Sequence, residues 1–386
     1  MKDSPFIYGA IVSERSFTNR EAETARLRSN LLNGINTMII SPRRWGKSSL
    51  VEKVIADINK KQKKTKTIII DLFSVSGEED FLETFAREII KASASRWQEW
   101  MSSGKDFFKK LLPKLSLGID PDIDFTLSFD WKELKKYSDE VLNLPETIAQ
   151  KKGIKFIICL DEFQNLSSFT GYVDFEKKMR ACWQRQKSVT YCLYGSKRHM
   201  MSDIFNNPSK PFYRFGDIMM LQKIETVKWV RFIRESFINT GKLIDENVAG
   251  KIPALMKNHS WYVQQLAHYT WNLTTKKATI KEINAALAEL IQTNSPLYQK
   301  ETESISGTQL NLLKAIALGA EQYTAVATMQ HYKLGTPRNV SKNKDILIKK
   351  DLIHEVKAIY EFLDPAFELW FKKQFFNQPY ILPETL

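Results

Sequence analysis

The sequence predicts an α/β protein: a parallel sheet with helices on both faces, then a helical stretch and a small winged-helix module. Three observations carry this reading. Short β-branched runs, among them Thr37–Ile40, Thr67–Leu72, Phe156–Leu160 and Val189–Tyr194, alternate with helical segments over residues 37–222. The first run opens directly onto Ser41-Pro42-Arg43-Arg44-Trp45-Gly46-Lys47-Ser48-Ser49 and then an amphipathic segment, Leu50 to Ile55. Strand, glycine-bearing loop and helix is the context that a phosphate-binding loop requires. From Glu225 to about Thr293 the strand signals vanish and helices dominate; residues 304–377 read as three helices followed by two short β runs.

Taken in order, Glu23 to Leu32 shows helical periodicity and Asn33-Gly34 stops it. Thr37–Ile40 is the first parallel strand, and a helix runs from about Ser48 to Lys60. Thr67–Leu72 has the β-branched composition of a strand buried on both faces. Glu78 to about Met101 reads as a helix, residues 105–130 as an inserted β-hairpin around Asp120-Pro121-Asp122, and Trp131–Gln150 again as a helix. The hairpin is either a surface decoration or a partner contact. A helix over about Phe175–Gln186 precedes the strand Val189–Tyr194. These readings divide the chain into a core over 1–222, a helical lid over 223–295 and a winged-helix domain over 304–386, with a boundary at Thr293-Asn294-Ser295-Pro296.

Composition bounds the possibilities. A chain of 386 residues, 43% hydrophobic and 26% charged, is ordinary globular material for two or three domains. The formal charge of +13 suits anionic partners such as nucleotide, nucleic acid or an anionic surface, and equally suits lysines that only keep the protein soluble. Cys159, Cys182 and Cys192 form no C-x-x-C pair, and Cys159 and Cys192 sit in apolar strands as buried thiols would. The first residues lack a hydrophobic signal core, and no apolar run reaches the roughly 20 residues of a spanning helix. A cytoplasmic protein without membrane association is the expectation.

The chemistry concentrates at two strand ends. The loop would wrap its N–H groups around phosphates at a helix N-terminus, with Lys47 reaching the β- and γ-phosphates and Ser48 ligating Mg²⁺. Its one irregularity is Ser41, where the pattern has glycine; serine holds the turn if its φ stays negative. Asp161 and Glu162 end a second strand about 110 residues on. An aspartate there can hold Mg²⁺ beside Ser48, and Glu162 can polarise an attacking water. Ser196, after the next strand, is either a polar sensor of the γ-phosphate or a helix N-cap. Arg214 is either a cation for the γ-phosphate or an ordinary ion-pair partner.

Together these residues resemble the archaeal-type ATPase family of P-loop NTPases, near the AAA+ and STAND groups. Phe17-Thr18-Asn19-Arg20-Glu21-Ala22-Glu23 is similar to the family's F-x-G-R-E-x-E box beside the nucleotide base, with Asn19 in place of glycine. Ser41 to Ser48 resembles its G-P-R-R-x-G-K-[ST] loop, Ile158 to Phe163 its Walker B strand, Tyr194-Gly195-Ser196 its sensor strand and Pro211 to Phe215 its P-L-Y-x-R-F segment. Asn258-His259-Ser260-Trp261-Tyr262 stands where the family often has G-x-P-x-Y in its lid, and Asp364-Pro365 to Trp370 resembles the D-P-x-x-x-x-W that closes its winged helix. The resemblance implies ATP and Mg²⁺ as ligands, slow hydrolysis to ADP and a nucleotide-controlled switch. It implies base contacts for Asn19 and Arg20 and a β-phosphate contact for His259, which as a histidine at a helix start can equally lack a ligand role.

In the winged helix, Thr336-Pro337 starts the third helix, which in a DNA-binding module enters the major groove. It carries Arg338, Lys342, Lys344, Lys349 and Lys350, diluted by Asp345, with Asn339 and Asn343 able to read base edges. Ile353–Val356 and Ala358–Leu363 form the wing, which adds Lys357 against Glu355 and Glu361. Two partner classes stay open: DNA, with the nucleotide pocket vestigial in the extreme case, or a protein or intramolecular contact.

Overall fold

The computed structural model describes residues 3–10, 20–93, 137–356, 359–380 and 382, with the strand backbone at 118–119 and 127–128. Asn19, Lys357 and most of the expected hairpin lie outside the described residues. The chain divides into two compact units, Arg20–Gln222 and a second made of Met1–Asn19 with Lys223–Leu386.

The first unit runs α1 (Glu21–Leu32), β1 (Thr37–Ile40), α2 (Lys47–Lys61), β2 (Thr65–Asp71) and α3 (Glu78–Ser93). It continues with β3 (Gly118–Ile119), β4 (Leu127–Ser128), α4 (Ser138–Lys152), β5 (Lys155–Asp161), a 3₁₀ turn at Phe163–Ser168 and α5 (Tyr172–Trp183). β6 (Val189–Gly195), α6 (Arg198–Asn206) and β7 (Asp217–Met220) close it. Two-residue β3 and β4 pair antiparallel, as a hairpin requires. The large sheet is parallel throughout, in the order β2-β5-β6-β1-β7. Every residue of β1 and β6 is buried, the pattern of central strands covered on both faces.

Register determines where the strand ends fall. Ile40 pairs with Gly195 across β1 and β6, and Leu160 pairs with Leu193 across β5 and β6. The segments after β1, β5 and β6 therefore leave the sheet at one level, side by side. Packing beneath them is aromatic: Trp183 stacks on Tyr191 with centroids 4.1 Å apart, and Phe81 stacks on Phe85 at 5.5 Å. Cys159 and Cys192 are fully buried on adjacent strands, as the sequence indicates. The helix α6 follows β6. It begins at Arg198 after Lys197, so the N-cap reading of Ser196 is corrected.

The second unit contains α7 (Thr226–Asn239), β8 (Leu243–Ile244), α8 (Glu246–Leu255), α9 (Ser260–Leu273), β9 (Lys277–Ala278) and α10 (Ile280–Glu303). The winged-helix part follows as α11 (Gly307–Ala317), α12 (Val326–Tyr332), α13 (Pro337–Lys349), β10 (Ile353–Val356), β11 (Ile359–Phe362) and α14 (Pro365–Phe376). Three features differ from expectation. β8 and β9 form a short parallel pair inside the helical stretch. α10 runs unbroken through Thr293–Pro296, where a boundary was placed, tolerating Pro296 in its interior. The third is α14, a helix after the two wing strands, where no element was anticipated.

Asp364 explains how α14 starts. Its Oδ1 accepts from the Ala366 and Phe367 amides, each at 2.9 Å, and Pro365 occupies the first turn. This N-cap and N1 proline are the usual helix-start chemistry. Oδ2 accepts from the Tyr262 hydroxyl and from Tyr298 at 3.4 Å, while Trp370 Nε1 donates to Ser295 Oγ at 3.0 Å. The D-P-x-x-x-x-W motif thus ties α14 to α9 and α10 through buried polar bonds. Among the described residues no helix is long and apolar enough to cross a membrane.

Two stability predictions follow from these groups. Replacing Asp364 with Ala removes a cap and leaves two buried hydroxyls short of an acceptor, so it should destabilise the full chain by about 2–3 kcal/mol in urea unfolding; an unchanged midpoint would refute the hub role. Glu176, on α5 and 1% exposed, has its carboxyl pushed up to about 7 by burial, opposed by Lys210 and aided by Asp203. Its folded value lies above the ordinary 4.5, so the contribution to stability is full below that pH and declines as pH rises through about 7. Glu176→Gln should stabilise the protein by about 1–2 kcal/mol at pH 8 and by almost nothing at pH 4, read from thermal midpoints.

Candidate functional site

The loop between β1 and α2 takes its shape from two left-handed residues, Gly46 with φ +88° and Arg44 with φ +65°. Gly46 sits at the N-cap of α2, where such a φ favours a residue without Cβ. Ser41 keeps a negative φ, which is why serine is tolerated in place of glycine. It is buried, and its Oγ donates to the Pro42 carbonyl at 3.1 Å. Trp45 and Ser49 are buried, whereas Arg43 and Arg44 are exposed.

Arg20 secures the loop from behind. Its guanidinium is 2% exposed and donates to the Trp45 carbonyl at 2.9 Å and the Gln222 carbonyl at 3.0 Å, besides pairing with Glu23. These bonds join the loop to the segment after β7 within the unit. Arg20, expected beside a nucleotide base, is thus engaged by backbone.

At the strand ends the carboxylates and the loop meet. Ser48 Oγ donates to Asp161 Oδ2 at 2.8 Å. Lys47 Nζ lies 3.7 Å from Asp161 Oδ1 and 3.2 Å from Glu162 Oε1. Burial pushes the Asp161 carboxyl up, and the nearby Lys47 ammonium and Ser48 hydroxyl only partly offset it. For Glu162 burial also acts upward, but Lys47, Gln164 and Ser196 together outweigh it and hold the carboxyl below its usual value. Glu162 is therefore a carboxylate at neutral pH. It has φ +51°, an unfavourable backbone state for a residue with a side chain.

Ser196 completes the cluster because β6 lies between β5 and β1. Its Oγ donates to Glu162 Oε2 at 2.8 Å and accepts from Arg43 Nε at 3.3 Å. The sequence reading overlooked Gln164, whose Nε2 also donates to Glu162 Oε2. Its signal was modest: a polar residue between Phe163 and Asn165, two positions after the acidic pair.

The other candidates have the following surroundings within their own units. Arg214 is exposed, has φ +51° and lies over the ring of its neighbour Tyr213 at 5.1 Å. His259, in the second unit, is 4% exposed at the N-cap of α9, with its ring 5.1 Å from that of Tyr262. On α13, Arg338, Asn339, Lys342 and Lys349 are exposed. Lys344 instead lies over Tyr323 at 5.2 Å and Tyr360 at 4.7 Å. Asn343 is 7% exposed and donates to Thr308 Oγ1 at 3.2 Å, which corrects its assignment as a base reader.

The donor set fits a magnesium ion. Ser48 and Asp161 bring two hard oxygen atoms within hydrogen-bond distance, and burial makes the Asp161 charge costly without a cation. Among the described residues no three His, Cys, Asp or Glu side chains gather as an all-protein metal cage would need. Magnesium commonly keeps waters and substrate phosphates as its other ligands, so two protein oxygens suffice.

Residues 296–373 match the family described as a probable winged helix domain. No curated protein matches the sequence. Among solved structures, the chain is similar to the Walker-type ATPase of Pyrococcus abyssi, with a TM-score of 0.66 and 19% identity over 96% of this chain and 99% of that one. It is also similar to the ORC2 protein of Aeropyrum pernix in its ADPNP–ADP complexes, with a TM-score of 0.56 and 14% identity over 94% and 95% of the two chains. At such identities the likeness speaks for fold, and it agrees with the resemblance carried by the motifs. The chain has the α/β P-loop fold of these two structures, with a winged-helix domain over residues 296–373.

Proposed function

We propose that the first unit binds ATP with Mg²⁺ and hydrolyses it slowly, the nucleotide state acting as a switch. One observation carries the reading: Lys47, Ser48, Asp161, Glu162 and Ser196 converge at the carboxyl ends of three inner strands of a parallel sheet, where ligands of open α/β sheets bind. Lys47, Ser49 and the amides of residues 41–48 would bind the phosphates, with Pro42 and Trp45 shaping the loop and Arg43 and Arg44 adding charge. Ser48 and Asp161 would hold Mg²⁺, which when bound neutralises charge on the phosphate oxygens. Lys47 is balanced by two carboxylates, and a triphosphate competes for that ammonium. Glu162, ionised at neutral pH, orients a water and takes its proton as the water oxygen attacks the γ-phosphorus and the bond to ADP breaks. Ser196 orients Glu162. Arg214, His259 and Asn19 are proposed as further nucleotide contacts on the strength of the motifs alone. Switching requires that ATP bind two conformations of the chain with different affinity.

Isothermal titration and steady-state hydrolysis test this. Lys47→Ala should abolish MgATP binding, whereas Glu162→Gln should retain binding and lose turnover by at least about 100-fold. Unchanged hydrolysis in both variants would overturn the assignment.

A second reading, DNA binding through the winged helix, is favoured by the exposed stripe of Arg338, Lys342 and Lys349 along α13. Asp345 lies on the same stripe, and the burial of Asn343 removes one base contact. Gel shifts at two salt concentrations decide it. Replacing the three basic residues with Ala should weaken duplex binding and flatten the salt slope by about 2–3, in keeping with about 0.9 per phosphate contact. An affinity that the triple substitution leaves intact would exclude this face; a protein or intramolecular partner is then the alternative.

A further inference from the structure

The hydrogen bonds on Glu162 are divided unequally between its two oxygens. Oε2 accepts from Gln164 Nε2, from Ser196 Oγ at 2.8 Å and from the Ser196 amide at 3.3 Å. Oε1 faces the Lys47 ammonium at 3.2 Å. One oxygen is saturated by three fixed donors, and the other depends on a cation for which phosphates compete.

Gln164 is built into this arrangement in a way that its own stability does not explain. The side chain is 1% exposed, and its Oε1 is buried without a hydrogen-bond partner among the described residues. A buried carbonyl oxygen left unpaired is destabilising, so it calls for a reason. Its amide cannot turn over to remedy this, since the carbonyl oxygen would then face the Glu162 carboxylate. Space for it exists only because residue 195 is glycine. A Cβ on Gly195 would stand 1.8 Å from Gln164 Oε1 and 2.8 Å from Met201 Sδ. Gly195 has no left-handed φ to account for its lack of side chain, so the close approach of Gln164 is what excludes a Cβ.

We infer that Gln164 is a positioning residue for Glu162: its amide, with Ser196, pins Oε2 so that Oε1 is the oxygen presented to the attacking water. The inference rests on the assignment of Glu162 as the general base. It adds which oxygen acts, which residue aims it, and why Gly195 lacks a side chain. Water gives its proton to Oε1 as its oxygen bonds to the γ-phosphorus; the phosphorus–oxygen bond to ADP breaks, and the proton later returns to solvent.

The test uses the full chain in four forms beside wild type: Gln164→Met, Gly195→Ala, the two combined, and Glu162→Gln. Affinity for a fluorescent ATP analogue, kcat, KM and thermal midpoint are measured for each. Gln164→Met keeps the bulk and loses the donor; it should lower kcat about 10–100-fold with nucleotide affinity within about threefold of wild type. Gly195→Ala keeps Gln164 but displaces it, so it should lower kcat to a similar degree. The combined variant should be no slower than the slower single one, because both act through one bond. Wild-type kcat in Gln164→Met, a loss confined to nucleotide affinity, or losses that multiply in the combined variant would each overturn the inference. If Glu162→Gln abolishes turnover while Gln164→Met does not, the positioning role alone fails. If Glu162→Gln turns over like wild type, or wild type has no turnover, the base assignment fails and the positioning role with it. Should Gln164→Met not fold, Gly195→Ala carries the same contrast of kcat against affinity.

Discussion

The α/β unit is arranged around one buried cation, the Lys47 ammonium, held between carboxylates from a different strand end. Lys47 Nζ sits 3.2 Å from Glu162 and 3.7 Å from Asp161, with the lysine side chain 9% exposed. Such a cluster is stable only while its charges are matched, because a lone buried charge is strongly unfavourable. It therefore constrains the elements that bring the groups together. β1 must deliver the loop and β5 the acidic pair at one level, and β6 must stand between them to place Ser196 against both. The same charge balance makes the cluster responsive to a polyanion, which is the basis for reading it as a nucleotide site.

Backbone strain marks the same places. In Arg20–Gln222 the described non-glycine residues with positive φ are Arg44, Glu162 and Arg214, all of them singled out by their motifs. Each holds a conformation that a different local sequence would avoid, and strain of this kind persists where the surroundings over-determine it. In Glu162 the turn swings the carboxylate away from the strand axis and onto Ser196 and Gln164. Arg214 combines its positive φ with a guanidinium over the Tyr213 ring.

The motifs resolve into two physical kinds. The loop at residues 41–49 and the acidic pair bring side chains face to face, Lys47 and Ser48 against Asp161 and Glu162. Asp364-Pro365 to Trp370 is architectural, since Asp364 caps α14 and accepts from Tyr262 while Trp370 reaches Ser295. Tyr262 belongs to the Asn258–Tyr262 segment, so two stretches about a hundred residues apart in sequence are joined by one hydrogen bond. Arg20 also braces the loop, through the Trp45 and Gln222 carbonyls. From sequence alone the kinds look the same, because both place polar residues at fixed offsets.

Several elements were legible in the sequence because their signals are local. β1, β5 and β6 were found to within a residue: a β-branched run buried on both faces is nearly continuous in hydrophobicity and stops where the sheet stops. The loop, Asp161 and Glu162 were legible because strand–loop–helix order and spacing are properties of the chain itself. Asn343 was misjudged because periodicity does not say which side of α13 the neighbouring helix will cover. The helix α14 was missed since its apolar residues fall on several sides of the helix and blur the period, and α10 crosses Pro296 because tertiary packing outweighs one lost backbone bond. Gln164 and Gly195 became a pair only in three dimensions: β6 brings residue 195 beside a turn that leaves β5, a contact that no local pattern records. Sequence by itself determined the α/β class, the strand ends and the residues proposed to hold phosphate and Mg²⁺, since these depend on chain order and residue type. Tertiary structure decided which oxygen of Glu162 is pinned, which arginine braces the loop and which face of α13 stays exposed, since these depend on what distant elements place within hydrogen-bond reach.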